Sequence, residues 1–168
     1  MNFSITAAVP PTLADTAVEI RLALGLEPIE SRLELYRPFL MDEFSDELDV
    51  KLIELFRAYN PIPLKIAGRM QWLEESGLLV YPLEIPAELG HLHQKLLKFL
   101  PPETNAPASN DFALRVTLGY ISALGRNQRD LVDNFYFPVS WTINRLQLES
   151  EVKPAKWLLE AAYTLGEN

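Results

Sequence analysis

The sequence contains no cysteine, which excludes disulfide bonds, thiolate metal sites and cysteine nucleophiles together. It has only two histidines, although histidine is the side chain best suited to proton transfer near neutral pH. No stretch approaches the roughly 18 consecutive apolar residues of a membrane-spanning helix. The first residues also lack the basic and apolar regions of a signal peptide. We therefore expect a cytoplasmic protein with no membrane association.

Positive charge is scarce as well. The formal net charge is −8, which argues against non-specific binding to a long polyanion, because such binding relies on a broad basic surface. A small phosphate ligand in a locally basic cleft is still compatible with this charge, because the total charge does not fix the potential inside a pocket. The sequence also has no glycine-rich phosphate loop and no Gly-x-Ser-x-Gly nucleophile elbow, so it does not indicate those enzyme classes.

The overall composition is that of an ordinary globular protein. Of its 168 residues, 48% are hydrophobic and 23% are charged. A chain of this length buries a sizeable core without disulfide or metal support. We therefore expect one domain spanning residues 1–168.

Hydrophobic periodicity predicts more strands than helices. The predicted strands are 3–9, 31–36, 62–66, 78–83, 112–120, 136–149 and 156–165, and the predicted helices are 12–24, 45–59, 86–99 and 127–135. Thr12 and Asp15 form a sequence typical of a capping box, and Ser45 is the predicted cap of the second helix. The strands at 62–66 and 78–83 are predicted neighbours. Because strands and helices do not alternate strictly, the predicted class is α+β.

The order strand, helix, strand occurs twice, which indicates an internal duplication. The first copy ends in a strand that contains Arg32, Glu34 and Tyr36, and the second ends in a strand that contains Arg115 and Thr117. Side chains two residues apart share one face of a strand, so each strand has a polar face. If a pseudo-twofold axis relates the copies, the two polar pairs face each other across one cleft.

The run 112–119, Phe-Ala-Leu-Arg-Val-Thr-Leu-Gly, resembles a motif of the two-histidine phosphoesterase superfamily, which includes 2′-5′ RNA ligase-like proteins and cyclic phosphodiesterases. In that family each of two strands carries His-x-Thr or His-x-Ser followed by an apolar residue. Here Arg115 stands at the histidine position and Thr117 is retained. In the first copy, Arg32 and Glu34 stand at the two polar positions. The resemblance implies a bilobal α+β fold with duplicated units around a central cleft.

In this family one histidine takes a proton from the attacking group, and the other protonates the leaving oxygen of a cyclic phosphate. Arginine keeps its proton because its pKa lies above about 12, so it cannot act as the base. We therefore predict that ordinary cyclic phosphodiesterase activity is absent. Arginine does bind phosphate well through its planar fork of donors. The first hypothesis is a pseudoenzyme that binds a nucleotide or RNA end through Arg32, Glu34, Tyr36, Arg115, Thr117 and Tyr120.

Two alternatives stay open. Arg32 could instead pair with Glu34 or another carboxylate, leaving a non-catalytic scaffold or protein-interaction module. The acidic stretch 41–47 is then a possible partner surface, although such a run is also typical of the solvated start of a helix. The second alternative is an enzyme with altered chemistry that uses Glu34 as its base.

The remaining chemistry-bearing residues have simpler interpretations. His91 and His93 lie two residues apart on a predicted helix and point in different directions, so we predict no metal site. The tryptophans Trp72, Trp141 and Trp157 are interpreted as packing residues rather than base-stacking ones. No cofactor is predicted.

Overall fold

The computed structural model describes residues 1–27, 29, 31–104, 112–154 and 156–166. Within these residues there are four helices and nine strands. The helices are α1 (Pro11–Leu24), α2 (Asp46–Arg57), α3 (Ala87–Leu96) and α4 (Arg126–Asn134). The strands are β1 (Asn2–Ala8), β2 (Arg32–Leu40), β3 (Ile62–Lys65), β4 (Gln71–Leu73), β5 (Leu78–Pro82), β6 (Arg115–Tyr120), β7 (Ser140–Ile143), β8 (Arg145–Lys153) and β9 (Lys156–Thr164). No helix among the described residues is long and apolar enough to cross a membrane.

The main sheet has the strand order β4-β5-β6-β2-β1-β8-β9, and β3 pairs with β7 in a second, two-stranded sheet. The duplicated units are β1-α1-β2 and β5-α3-β6. Their last strands, β2 and β6, are antiparallel neighbours near the middle of the main sheet, where Leu33 pairs with Val116. Helix α1 contacts β6, and α3 contacts β2, so each unit's helix packs against the other unit's strand. The predicted α+β class with duplicated units is confirmed.

The alternation predicted for the two central strands is present. Leu33 and Leu35 on β2, with Val116 and Leu118 on β6, are buried in the core. Their polar neighbours in sequence are partly exposed on the opposite face. The apolar residues pack one face of these two strands against the core. The polar motif residues therefore lie on the other face, which carries the candidate site.

Three strand predictions were wrong in detail. The predicted strand 136–149 is two strands, because the chain leaves the small sheet after β7 and enters the main sheet at β8, with Asn144 between them. Strand β3 pairs with β7 and not with β5, and the 62–66 and 78–83 segments share one isolated bridge between Ile66 and Leu83. Strand β4 had no prediction, and β6 begins at Arg115 rather than at residue 112.

Of the two predicted helix caps, one was confirmed and one was wrong. Ser45 caps α2 as predicted, and its side chain accepts a hydrogen bond from the Leu48 backbone N–H at 3.3 Å. The predicted capping box at Thr12 was wrong, because α1 begins one residue earlier, at Pro11. Proline suits the first helical position because its φ is already helical and the N–H that it lacks would have no intrahelical partner there.

Candidate active site

A cavity of about 520 Å³ opens on the polar face of β2 and β6. This volume lies within the usual range for sites that bind small molecules. It is lined by Asn2, Ile29, Arg32, Glu34, Arg37, Pro38, Leu78, Thr104, Ala113, Arg115, Thr117, Tyr120, Glu151 and Trp157. Five of the six predicted site residues are among them, and Tyr36 is not.

The pairing of β2 with β6 brings the two motif copies together. Because Leu33 pairs with Val116 in an antiparallel register, continuing that register sets Arg32 beside Thr117 and Glu34 beside Arg115. All four side chains line the one cavity. The duplicated motif positions thus form a single site at the centre of the main sheet.

Arg32 is held by carboxylates on both sides. Its two terminal nitrogens contact Glu34 at 2.8 Å and Glu149 at 3.1 Å. Its guanidinium carbon lies 3.7 Å from the centre of the Trp157 ring, which is cation–π distance. The Arg32 side chain is only 14% exposed. This arginine is therefore part of an internal network, which is the pairing that the scaffold alternative expected.

Arg115 has a different environment. No carboxylate of the described residues lies within salt-bridge distance of Arg115 or of Arg37, and both line the cavity. Burial lowers the pKa of Arg115, the charge of Arg37 lowers it further, and Glu34 and Tyr120 oppose this. Arginine still stays protonated in proteins. The two guanidinium groups therefore repel each other, and an anion between them would relieve that repulsion.

The prediction that Tyr36 shares the polar face of β2 was wrong. The register of β1 with β2 shifts on each side of the pair between Ile5 and Tyr36, so β2 contains extra residues at β-bulges. Tyr36 therefore points into the core, where its hydroxyl donates to the Pro101 carbonyl at 2.9 Å. Burial, with the charge of Glu103, raises its pKa to about 12. After the bulge Arg37 and Pro38 line the cavity instead.

Several other cavity residues were missed from the sequence. Arg37 could not be identified because strict alternation assigns it to the core face, and no residue pattern indicated the bulge in β2. Trp157, Glu151 and Asn2 belong to strands β9, β8 and β1, which are distant in sequence from the motifs. Only the pairing of these strands beside β2 brings them to the site. Tyr120 was identified, and it lies at the rim with 69% exposure.

A buried arginine fixes the strand that carries Arg115 and Thr117. Arg21 of α1 is 3% exposed, and its side chain donates to the Leu118 and Thr117 carbonyl oxygens of β6 and to Ser31. Burial lowers its pKa. Hydrophobic periodicity did not identify Arg21 as buried, because a charged residue is buried only where partners elsewhere in the chain satisfy it.

The two histidines lie away from the cavity lining. His93 is buried, stacks on Phe112 with ring centres 4.2 Å apart, and lies 3.3 Å from a Glu103 oxygen. His91 is exposed. Across the described ranges, no group of three or more His, Cys, Asp or Glu side chains is arranged to hold a metal ion. No histidine thus reaches the motif positions to replace the acid and base of the family reaction.

Solved structures of similar shape extend over nearly the whole chain. The protein TT0787 of Thermus thermophilus is similar with a TM-score of 0.67 and 18% identity, over 99% of this chain and 98% of that one. Escherichia coli LigT in complex with 3′-AMP has a TM-score of 0.61, 14% identity and the same coverages. The chain has the LigT fold. No family model matches the sequence, and no curated protein matches it either.

The LigT fold confirms the architecture that the motif resemblance implied. A further structure of this shape, named only as a phosphoesterase, has a TM-score of 0.62 and 14% identity, with 99% of this chain and 98% of that one covered. LigT itself has been crystallised with 3′-AMP, NADP+, phosphate and ATP. At these identities the likeness concerns the fold, and the chemistry of this chain depends on the residues of its own cavity.

Proposed function

We propose that this protein binds a small phosphorylated ligand in the central cavity and does not hydrolyse it. The observation that carries the proposal is the pair Arg37 and Arg115, two cavity arginines with no carboxylate of the described residues in salt-bridge distance. Each can present a planar fork of donors to phosphate oxygens. Thr117 adds a hydroxyl on the same strand as Arg115.

The same geometry argues against catalysis by the family mechanism. A general acid and a general base must change protonation near the working pH, and each typically contributes about 10²- to 10⁴-fold to the rate. Arginine cannot do so. Glu34, the base of the alternative enzyme hypothesis, is already held by Arg32 at 2.8 Å. The phosphorylated ligands of LigT support the ligand class proposed here, because that protein provides a cleft of the same fold.

The test is calorimetric titration of the protein with inorganic phosphate and with 3′-AMP. Replacing Arg115 by alanine should weaken binding at least about tenfold, because hydrogen bonds to charged groups contribute about 1.5–3 kcal/mol. Arg37→Ala should have a similar effect. Arg126→Ala is the matched control, because Arg126 is an exposed arginine outside the cavity lining.

Incubation with a 2′,3′-cyclic nucleotide completes the test, and no product should form above the buffer rate. Turnover by the purified protein would contradict the non-hydrolytic proposal. If neither inorganic phosphate nor 3′-AMP binds, the scaffold hypothesis would be favoured instead. The internal pairing of Arg32 is the observation that supports that hypothesis.

A further inference from the structure

Two residues, Glu103 and Thr104, lie beside the end of β2 and pair with it as a neighbouring strand would. One edge of β2 pairs with β1, where Phe39 lies opposite Phe3. On the other edge Phe39 forms an antiparallel bridge with Glu103. The Thr104 backbone N–H donates to the Pro38 carbonyl at 2.6 Å, and the Thr104 hydroxyl donates to the same oxygen. The end of β2 is therefore held from both edges.

The Glu103 side chain makes the contact that concerns the cavity. Its Oε1 atom accepts a hydrogen bond from the Arg37 backbone N–H at 2.8 Å. The register shifts of β2 turn Tyr36 into the core and leave Arg37 in the cavity lining. A bulge disrupts the ladder locally and re-aims side chains. Glu103 thus holds the backbone directly after the irregular part of β2, at the residue whose side chain enters the cavity.

Glu103 is itself held by its surroundings. Its side chain is 11% exposed, and the same Oε1 atom lies 3.3 Å from Nε2 of His93. His93 is buried and stacks on Phe112. The Tyr36 hydroxyl also donates to the carbonyl of Pro101, two residues before Glu103. A group that is fixed by packing and hydrogen bonds can hold a neighbouring binding residue in one geometry.

We infer that Glu103 is a positioning residue of the anion site, which acts through Arg37 and does not touch the ligand. The inference rests on the proposed function, because Arg37 is taken to bind phosphate. Glu103 is not one of the described residues that line the cavity. Its negative charge alone would oppose an anion, so removing it would strengthen binding if charge were its only effect. A positioning role has the opposite sign, because loss of the hydrogen bond releases the Arg37 backbone.

The test is calorimetric titration with inorganic phosphate. Glu103→Ala removes the acceptor together with the charge, and it should weaken binding about tenfold, at the upper end for one hydrogen bond. Glu103→Gln keeps an acceptor oxygen for the Arg37 N–H. It should therefore bind phosphate at least as tightly as the wild type, because only the opposing charge is lost.

A double-mutant cycle shows whether the effect passes through Arg37. In the background of Arg37→Ala, Glu103→Ala should change phosphate affinity by less than about twofold, because the residue on which it acts is gone. In the background of Arg115→Ala, the loss of about tenfold should persist. A general weakening of the fold would not distinguish these two backgrounds.

Two controls accompany the cycle. Glu43→Ala removes the same charge from an exposed residue outside the cavity lining. Tyr163→Phe removes a side-chain hydrogen bond of 2.9 Å to the Asp49 carboxylate, also outside that lining. Neither should change phosphate affinity. Circular dichroism checks folding, and if Glu103→Ala does not fold, Glu103→Asp replaces it, because its carboxylate is one methylene shorter and keeps the charge.

Three results would overturn this inference and leave the proposed function standing. The first is wild-type affinity in the folded Glu103→Ala or Glu103→Asp variant. The second is an equal loss of affinity in the backgrounds of Arg37→Ala and Arg115→Ala. The third is a loss in Glu103→Gln as large as that in Glu103→Ala. Failure of the wild type to bind inorganic phosphate or 3′-AMP would overturn the proposed function and this inference together.

Discussion

At the scale of single residues, the two arginines at the motif positions have separate roles. Arg32 and Arg115 occupy corresponding places in the duplicated units, yet Arg32 has two carboxylate partners and Arg115 has none among the described residues. The same substitution therefore has different consequences in the two copies. Removing Arg115 should affect binding, whereas removing Arg32 should mainly affect stability.

Arg32→Ala should lower the free energy of unfolding by about 2 kcal/mol, between the values for exposed and fully buried ion pairs. The physical reason is that Glu149, with a side chain only 12% exposed, loses its cation. Urea denaturation measures the effect, with Arg126→Ala as the exposed control. In the background of Glu34→Gln and Glu149→Gln, loss of Arg32 should cost less. Equal costs in the two backgrounds would contradict this account.

At the scale of the elements, the acidic stretch 41–47 has a structural explanation. Its last residues enter α2, which has Asp46, Glu47 and Asp49 in its first turn and Ser45 as its cap. Negative charges at a helix N-terminus interact favourably with the helix dipole. The stretch therefore suits the start of a helix, whether or not a partner also binds there.

Ser45→Ala should destabilise the protein by about 1 kcal/mol, because the Leu48 N–H would lose its side-chain acceptor. Thermal or urea unfolding measures this change. Ser122→Ala is a suitable control, because Ser122 is exposed and lies outside any helix or strand. A loss no larger than that of the control would show that the cap contributes nothing.

The helices and strands were largely predictable from the sequence, whereas the pairing between strands was less predictable. The alternation of Leu33, Leu35, Val116 and Leu118 identified both central strands and four cavity residues beside them. Local pattern could not identify the bulge in β2, because a bulge depends on the register against β1. For the same reason Trp157 was interpreted as a packing residue. Its place in the cavity depends on the pairing of β8 with β1, which no local pattern specifies.

At the scale of the whole molecule, Glu103 connects three parts of the structure. One of its oxygens accepts the Arg37 backbone N–H at 2.8 Å and lies 3.3 Å from His93 of α3, and the residue itself bridges to Phe39 of β2. Burial opposes ionisation of Glu103, but hydrogen bonds from His93 and Arg37, together with their charges, lower its pKa below the ordinary value of 4.5. The ionised carboxylate therefore stabilises the folded state.

This arrangement gives stability a defined pH dependence. Because the folded-state pKa of Glu103 is lowered, its contribution is fully present above about pH 4.5 and is lost as the pH falls through the folded value. Glu103→Gln should thus destabilise the protein at pH 7 and match the wild type more closely at pH 3. Urea unfolding at both values measures the difference, and Glu43→Gln is the exposed control. A constant difference across this range would argue against an ionic role for Glu103.

The exchange of helices between the two units has a consequence for how such a molecule could arise. Since α1 contacts β6 and α3 contacts β2, the helix of each unit packs on the final strand of the other unit. A single unit produced alone would leave apolar surface of both elements in water. Two separate copies of one such unit could cover these surfaces for each other as a symmetric dimer, with one motif from each copy near the shared twofold axis. Joining both units in one chain removes that symmetry and lets the two motif copies differ, as the different partners of Arg32 and Arg115 illustrate.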